Sequence, residues 1–410
     1  MTGQVSAGDT AFVLAGAGLV MFMTPGLALF YGGMVRTKNV LGTIMQSFFI
    51  VALVSVLWAV VGYSLAFGPD RGHLIGSLAW AGLRGVGQEP NPDYAATIPH
   101  LAFMIFQGMF AVITPALITG AFAERVRFPS FVVFTALWSL VVYAPVAHWV
   151  WGVGGWIRNL GGLDFAGGTV VHISSGAAAL AAVLVVGRRR GYGEAVFTSH
   201  NLPLTILGAG ILWFGWFGFN AASALAANGL ACSAFVVTNL AASAAAISWA
   251  AAEWAHHGKP STLGAASGAV AGLVAITPAS GFVAPMAALA IGALAGLACY
   301  GAVQAKWRAG YDDSLDVVGI HGAGGILGAL ATGIFASKLI NPAGANGVVF
   351  GNPKLLATQA LAVAATVGYS FMVSLILLKA VEATLGLRVR EEHEEAGLDL
   401  SQHSEAAYGF

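Results

Sequence analysis

DFAGGTVVHISSG, residues Asp164–Gly176, and DSLDVVGIHGAGG, residues Asp313–Gly325, carry one device twice: an Asp followed eight positions later by a His, as Asp164/His172 and Asp313/His321. Each His begins an otherwise charge-free apolar run. A helix turns about 100° and rises about 1.5 Å per residue, so positions eight apart lie roughly 80° round the wheel and about 12 Å along the axis. The Asp is therefore expected near a helix mouth and the His deep inside. The second copy offers two acids, Asp313 and Asp316, and the sequence leaves open which of them binds the helix end.

The chain around these stretches has 410 residues, 58% hydrophobic and 9% charged. Soluble domains carry about 25% charged residues, and about 20 apolar residues cross a bilayer. The composition is that of a polytopic membrane protein. Its 55 glycines suit helices that pack closely in lipid. Zero net charge suggests no nucleic-acid partner. Cys232 and Cys299 both fall in apolar runs, so no disulfide framework is expected. MTGQVSAGDT lacks a basic n-region, so no cleaved signal peptide is expected.

The predicted fold is all-α, with eleven transmembrane helices at about 10–35, 39–67, 95–123, 128–151, 167–186, two within 195–252, two within 260–305, 317–336 and 355–385. The two longer runs are split at the small, polar stretches 220–228 and 277–281. The Asp/His stretches open spans five and ten. Five is odd, so the second copy is inverted in the membrane. AVITP at Ala111–Pro115 and VAITP at Val274–Pro278 echo each other at the same five-span offset. An inverted five-plus-five pseudo-repeat follows, with a final helix: repeat one about 10–187, repeat two about 199–338, last helix about 355–385. Residues 1–386 form the transmembrane domain and 387–410 a polar tail. Composition alone reads that tail as a disordered end as readily as a functional one. Inverted repeats place the path at their interface near the midplane, where His172 and His321 would meet.

Orientation follows from Lys and Arg. With the N-terminus outside, only Arg71, Arg84, Arg158, Lys338 and Lys354 of the 18 fall on the outer side. The expected location is the plasma (inner) membrane, with the tail in the cytoplasm.

Ionisable groups inside a membrane are costly and usually functional. One deep His alone reads better as a structural residue bonded to a carbonyl; two symmetry-related ones, each preceded by an Asp, shift the balance. A metal site gathers three or four ligands, and no third deep His or carboxylate stands with this pair, so no metal or cofactor is expected. A neutral imidazole donates from one nitrogen and accepts at the other, so a pair can pass a proton or hold an uncharged amine. Aromatics add a second signal. Phe106 and Phe110 share a helix face, Trp151 closes span four, and WFGWFGFN brings Trp213, Trp216 and Phe219. Singly these read as interfacial residues; gathered, they would make a cation–π cage.

The chain resembles the ammonium transporter/methylammonium permease/Rhesus family, on the prokaryotic ammonium transporter side. The resemblance runs its length: ALFYGGMVRTKNVL, FQGMF, ITGAFAERVRF, AHWVWG, LDFAGGTVVHISSG, HNLP, GWFGFNAASA, LGAASGAVAGLVAITP, DVVGIHGAGG and the tail GLRVREEHEEAGLDLSQHSEAAYGF. It implies a homotrimer with one pore per protomer and ammonium, ammonia and methylammonium as cargo. It also implies an outer site of Phe110, Trp151 and Ser223, a gate of Phe110 and Phe219, a pore-lining Trp216, and the pore histidines His172 and His321. Asp164 supports recruitment, more as a brace of the vestibule than as a direct ligand, with Asp313 as its symmetry mate. The tail is expected to pack on the pore exits and to offer a docking place for a PII-type signalling protein. Ala222 stands where the family often has Gly, and a small effect is expected.

Bare ammonium in an apolar pore meets a Born cost of tens of kcal/mol. An amine pKa of roughly 10 falls by about 3–5 units on burial, so dehydration itself favours proton loss. The expected mechanism is capture of ammonium outside, deprotonation near the gate, passage as ammonia, and proton relay through the histidines. Potassium has no proton to shed. An ammonium sensor with little flux and a Rhesus-like neutral gas channel are the alternatives. No nucleophile–base constellation marks an enzyme. The outer loop Pro69–Asp93 carries no readable motif.

Overall fold

The computed structural model describes residues 4–194 and 197–409. Ten long apolar helices and one shorter one run in chain order as spans one to eleven. They are Ala7–Met34, Thr37–Phe67, His100–Thr119, Phe128–Asn159, Gly168–Val186, Leu202–Ala224, Gly229–His257, Thr262–Ile276, Pro285–Ala309, Val318–Phe335 and Pro353–Leu385. Spans one and six lie side by side, seven to nine pack together, and eleven lies along four and five. Spans five and ten cross at the centre.

The predicted third span begins too early. Residues Ala95–Pro99 form a strand paired antiparallel with Pro90–Asn91, and the helix starts at His100. Pro99 explains the boundary, because the residue before a proline is pushed out of the helical region. Asp70–Arg71 and Ile75–Gly76 pair antiparallel in the same loop between spans two and three. In span four, regular helix stops at Trp151, and a glycine-rich turn, Gly152–Gly155, leads to the short helix Trp156–Asn159.

Both Asp/His stretches begin with a π-helical turn, Gly168–Ile173 and Val318–Gly322. Single π turns inside helices occur often at functional sites. Neither Asp is helical. Asp164 stands four residues before the first turn, and its carboxylate accepts the N–H groups of Gly167, Gly168, Thr169 and Val170 at 2.7–3.1 Å. These are the orphan donors that every helix start must satisfy. In the second copy Asp313 takes this role, accepting Val318 N–H at 2.7 Å. Asp316 instead pairs with Lys306.

Gly176 and Gly322 set how closely spans five and ten cross. A Cβ on Gly176 would lie 2.4 Å from Gly322 Cα, whereas a Cβ on Gly322 would lie 3.6 Å from Gly176 Cα. Overpacking costs about 1–3 kcal/mol. G176A is therefore expected to lower the melting temperature in detergent and G322A to leave it nearly unchanged; equal effects would contradict this crossing. Ala222 also meets a glycine: a Cβ on Gly16 would be 2.3 Å from Ala222 Cβ. Gly16 thus makes room for the one methyl by which Ala222 exceeds glycine.

The tail is ordered against one end of the bundle, the tail face. Two of its acids, Glu394 and Asp399, are buried and partnered, while Glu391, Glu392 and Glu395 stay exposed. Two short helices, Glu391–Ala396 and Leu398–His403, pack on the starts of spans two and four and on the loop after span five. Asp399 accepts Leu41 N–H at 3.0 Å and Gly42 N–H at 2.8 Å, capping span two from a distance of over 350 residues in the chain. Glu394 accepts Arg190 N–H at 2.7 Å and pairs with Arg388 at 2.7 Å. Losing such a cap costs about 0.5–2 kcal/mol. D399A is expected to speed proteolytic clipping of the tail while leaving the span fragments intact.

Beneath the tail, Glu124 bonds Arg36 at 2.9 Å and Arg189 at 3.2 Å, and Arg189 reaches Asp312 at 2.8 Å. Burial alone would raise both carboxyls. Arg189 with Arg36 around Glu124, and Arg189 with Arg125 around Asp312, more than offset it and hold both below the ordinary carboxylate value. This stabilisation is fully present above the ordinary carboxylate range and is lost as pH falls through the lowered values.

Candidate functional site

A vestibule of about 190 Å³ opens on the face opposite the tail, lined by Phe110, Trp151 and Ser223 among others. Phe110 comes from span three, Trp151 from the end of span four, and Ser223 from the end of span six. Below it the rings form a column. Phe110 meets Trp151 edge-on with centroids 5.8 Å apart, and lies 4.3 Å from Phe219. Phe219 is 6.1 Å from the His172 ring, and His172 is 5.3 Å from His321. Phe110 and Phe219 are buried and close the vestibule floor. Ser223 donates to Phe219 O at 2.8 Å, so its oxygen keeps lone pairs free.

Behind the two phenylalanines lies a lumen of about 10 Å³, room for about one water-sized molecule. Its wall is apolar, with Leu27, Ile113, Leu212 and Val270, apart from His172, His321 and Trp216. The π turns of spans five and ten bring the two histidines together: Nδ1 of His172 and Nδ1 of His321 are 3.3 Å apart. At that separation one nitrogen donates and the other accepts. One ring then turns a bare Nε2 outward and the other an Nε2–H. His172 Nε2 has no protein partner among the described residues. The pair therefore offers an acceptor together with a donor. Trp216 stacks on His172 at 5.4 Å and is fixed by its Nε1–H to Thr277 Oγ1 at 2.9 Å.

Asp164 stands behind the vestibule wall. Its carboxylate is taken up by the four amides of the π turn, and its carbonyl accepts Trp151 Nε1–H at 2.8 Å. It thus orients span five and the Trp151 ring together. Of the other aromatics, Phe106 is fully buried behind Phe110 at 5.0 Å, and Trp213 lines neither the vestibule nor the lumen.

The sequence reading missed Tyr94, Phe67, Phe165, Gln107 and Arg158, which also line the vestibule. Arg158 fastens Trp151 through its carbonyl at 2.6 Å. Tyr94 donates to Phe67 O at 2.7 Å and accepts Val153 N–H at 3.1 Å. Except for Gln107, which lies inside span three, these residues sit at or near turns, and no periodicity marks them. On the tail face a cavity of about 490 Å³ opens among Arg189, Phe197, Lys306 and Asp312. The tail lies beside this opening, and no tail residue lines it.

Known proteins share the sequence and the fold. The chain is 54% identical to the ammonium transporter of Bacillus subtilis over 98% of both chains. It is 50% identical to ammonium transporter Amt1 of Archaeoglobus fulgidus, over 98% of this chain and 100% of that one. Among solved structures, Mep2 of Candida albicans superposes with a TM-score of 0.90 at 35% identity, covering 95% of this chain and 88% of that one. A sensor Amt protein superposes with a TM-score of 0.88 at 30% identity, covering 97% and 98%. The model of the Ammonium Transporter Family matches residues 11–408, and with these similarities the chain belongs to that family of multi-pass membrane transporters, which are not enzymes.

Proposed function

We propose that the protein takes up ammonium selectively by capturing the cation at Phe110, Trp151 and Ser223 and conducting it as ammonia past His172 and His321. The observation that carries this reading is the continuous column from Trp151 through Phe110 and Phe219 to the histidine pair, ending in a one-molecule apolar lumen. Electron-rich ring faces attract a cation, and the Ser223 oxygen accepts one of its N–H groups. The lumen offers no counter-charge, so the dehydrated cation sheds its proton at the gate formed by Phe110 and Phe219. The histidines hold the neutral molecule and relay the proton on a separate course. Asp164 acts as a brace for this site. The vestibule faces outward and the tail lies in the cytoplasm, the arrangement favoured by the Lys and Arg distribution. The working unit is a homotrimer with a pore in each protomer, and the tail face is where a PII-type protein docks.

The test is an ammonium pulse to reconstituted vesicles with potassium as control. A saturable current for ammonium and none for potassium is expected. A change of internal pH without current would mean passage of ammonia alone and would remove the relay. Neither signal would favour a sensor, a reading that the fold similarity to a sensor Amt protein keeps in view.

A further inference from the structure

We propose that the half-buried Asp70 and the buried His148 form an ion pair that positions the Trp151 wall of the vestibule and so sets the apparent affinity for the captured cation. This inference rests on the transport reading above. His148 lies in span four, one turn before Trp151, and its side chain is 0% exposed. Its two ring nitrogens face two oxygens. Nδ1 is 2.9 Å from Ala66 O, and Nε2 is 2.9 Å from Asp70 Oδ1. A carbonyl only accepts, and so does an ionised carboxylate. A neutral imidazole has one N–H and would leave one of these contacts without a hydrogen. The ring that satisfies both is the doubly protonated one, with its charge balanced by Asp70.

Asp70 is suited to remain ionised. It also accepts the His73 backbone N–H at 2.9 Å. Burial would raise its carboxyl, but the His148 bond and charge, with that backbone N–H and the nearby His73 ring, hold it below the ordinary carboxylate value.

The turn after Trp151 is shaped around the pair. A Cβ on Gly152 would lie 2.5 Å from His148 Nδ1, and one on Gly154, where φ is +93°, would lie 2.6 Å from Asp70 Cβ. The His73 ring reaches Gly154 O at 2.6 Å, and Trp149 Nε1–H donates to Leu74 O at 2.8 Å. One charge pair therefore ties the end of span two and the outer loop to the backbone that carries Trp151. Neither residue lines the vestibule, so both are positioning residues. Among the described residues the other titratable group facing the pair is His73 of the same loop as Asp70, its Nδ1 3.4 Å from Asp70 Oδ2. Arg158 and Tyr94 act on the same wall through Trp151 O and Val153 N–H.

The experiment is concentration-dependent uptake of labelled methylammonium into proteoliposomes by wild type, D70N, D70E and H148Q, with detergent melting curves alongside. D70N keeps the shape and removes the charge. An apparent KM raised about tenfold with the maximal rate within twofold is expected for D70N, a similar rise for H148Q, and recovery of most of the affinity in D70E. The double variant D70N/H148Q should be no worse than either single one. An unchanged KM in D70N would overturn the proposal. So would equal losses of maximal rate in D70N and D70E without a KM change, which mark a purely structural bond. If D70N does not fold, the comparison of H148Q with D70E decides in the same way. Absence of saturable uptake by wild type would defeat the transport reading instead.

Discussion

Vesicles carrying H172L/H321L should lose ammonium-evoked current by about 100-fold or more, the lower end of what positioned proton-transfer groups contribute. The argument starts from the 3.3 Å between the two Nδ1 atoms. That contact holds one hydrogen, so the outward nitrogens differ: one accepts and the other donates. A neutral amine can engage both at once. The remaining wall of the lumen is hydrocarbon and indole. Leucine at both positions fills similar space and offers no hydrogen bond, so each unsatisfied polar group of the dehydrated guest costs about 1–3 kcal/mol. The proton also loses its carriers. Both single variants should retain part of the current, because one imidazole still binds the guest. Detergent melting curves should stay close to wild type, since the pair lies at a cavity and bears no packing load comparable to a core leucine. Unchanged current with continued potassium exclusion would remove the relay from the mechanism.

Asp164→Ala should cost far more stability than Asp313→Ala. Asp164 satisfies four backbone donors of the first π turn. At about 1–3 kcal/mol for each buried donor left unsatisfied, and with less than full additivity, the loss is about 3–6 kcal/mol. It also frees the segment before span five, where the Asp164 carbonyl holds the Trp151 ring. Asp313 accepts Val318 N–H, and Lys306 lies close by, donating to the Asp313 carbonyl at 2.8 Å. Its removal is expected to cost about 1–3 kcal/mol. Asn at position 164 should fall between, because one amide oxygen can serve only one pair of the donors. Thermal unfolding in detergent, followed by the intrinsic fluorescence of the tryptophans, ranks the variants. D313A as damaging as D164A would show that the two capped starts bear equal load.

The fold was legible because lipid leaves the chain few choices. Charge-free runs had to be helices, and even the breaks at 220–228 and 277–281 fell where small and polar residues cluster. Helix 317–336 and its partner 167–186 were readable to within about two residues, because an Asp before a long apolar run is a strong start signal. The column of rings was legible mainly through motifs: spacing puts Phe110 on a face with Phe106 but does not say that only Phe110 lines the vestibule. Asp70 and His148 were not legible as a pair. They lie 78 residues apart, and Asp70 sits in a Gly- and Pro-rich loop whose path is fixed by single contacts. The ordered tail was ambiguous for a related reason. Its acids and arginines look solvated in composition, and only the three-dimensional arrangement shows Asp399 capping span two and Glu394 held by Arg388.

The two capped helices, spans five and ten, point in opposite directions. A helix start carries roughly half a positive charge, and each is met by an Asp carboxylate at its own side of the membrane. Viewed along the pore, the two dipoles oppose each other. The two helix starts therefore add little net electrical slope along the line between them. The aromatic vestibule on one face changes how readily scarce cargo is caught, but a passive catch lowers the barrier equally for departure by the same route. On the transport reading proposed above, net direction comes from the gradients on either side, and the scaffold is a conductor without an arrow.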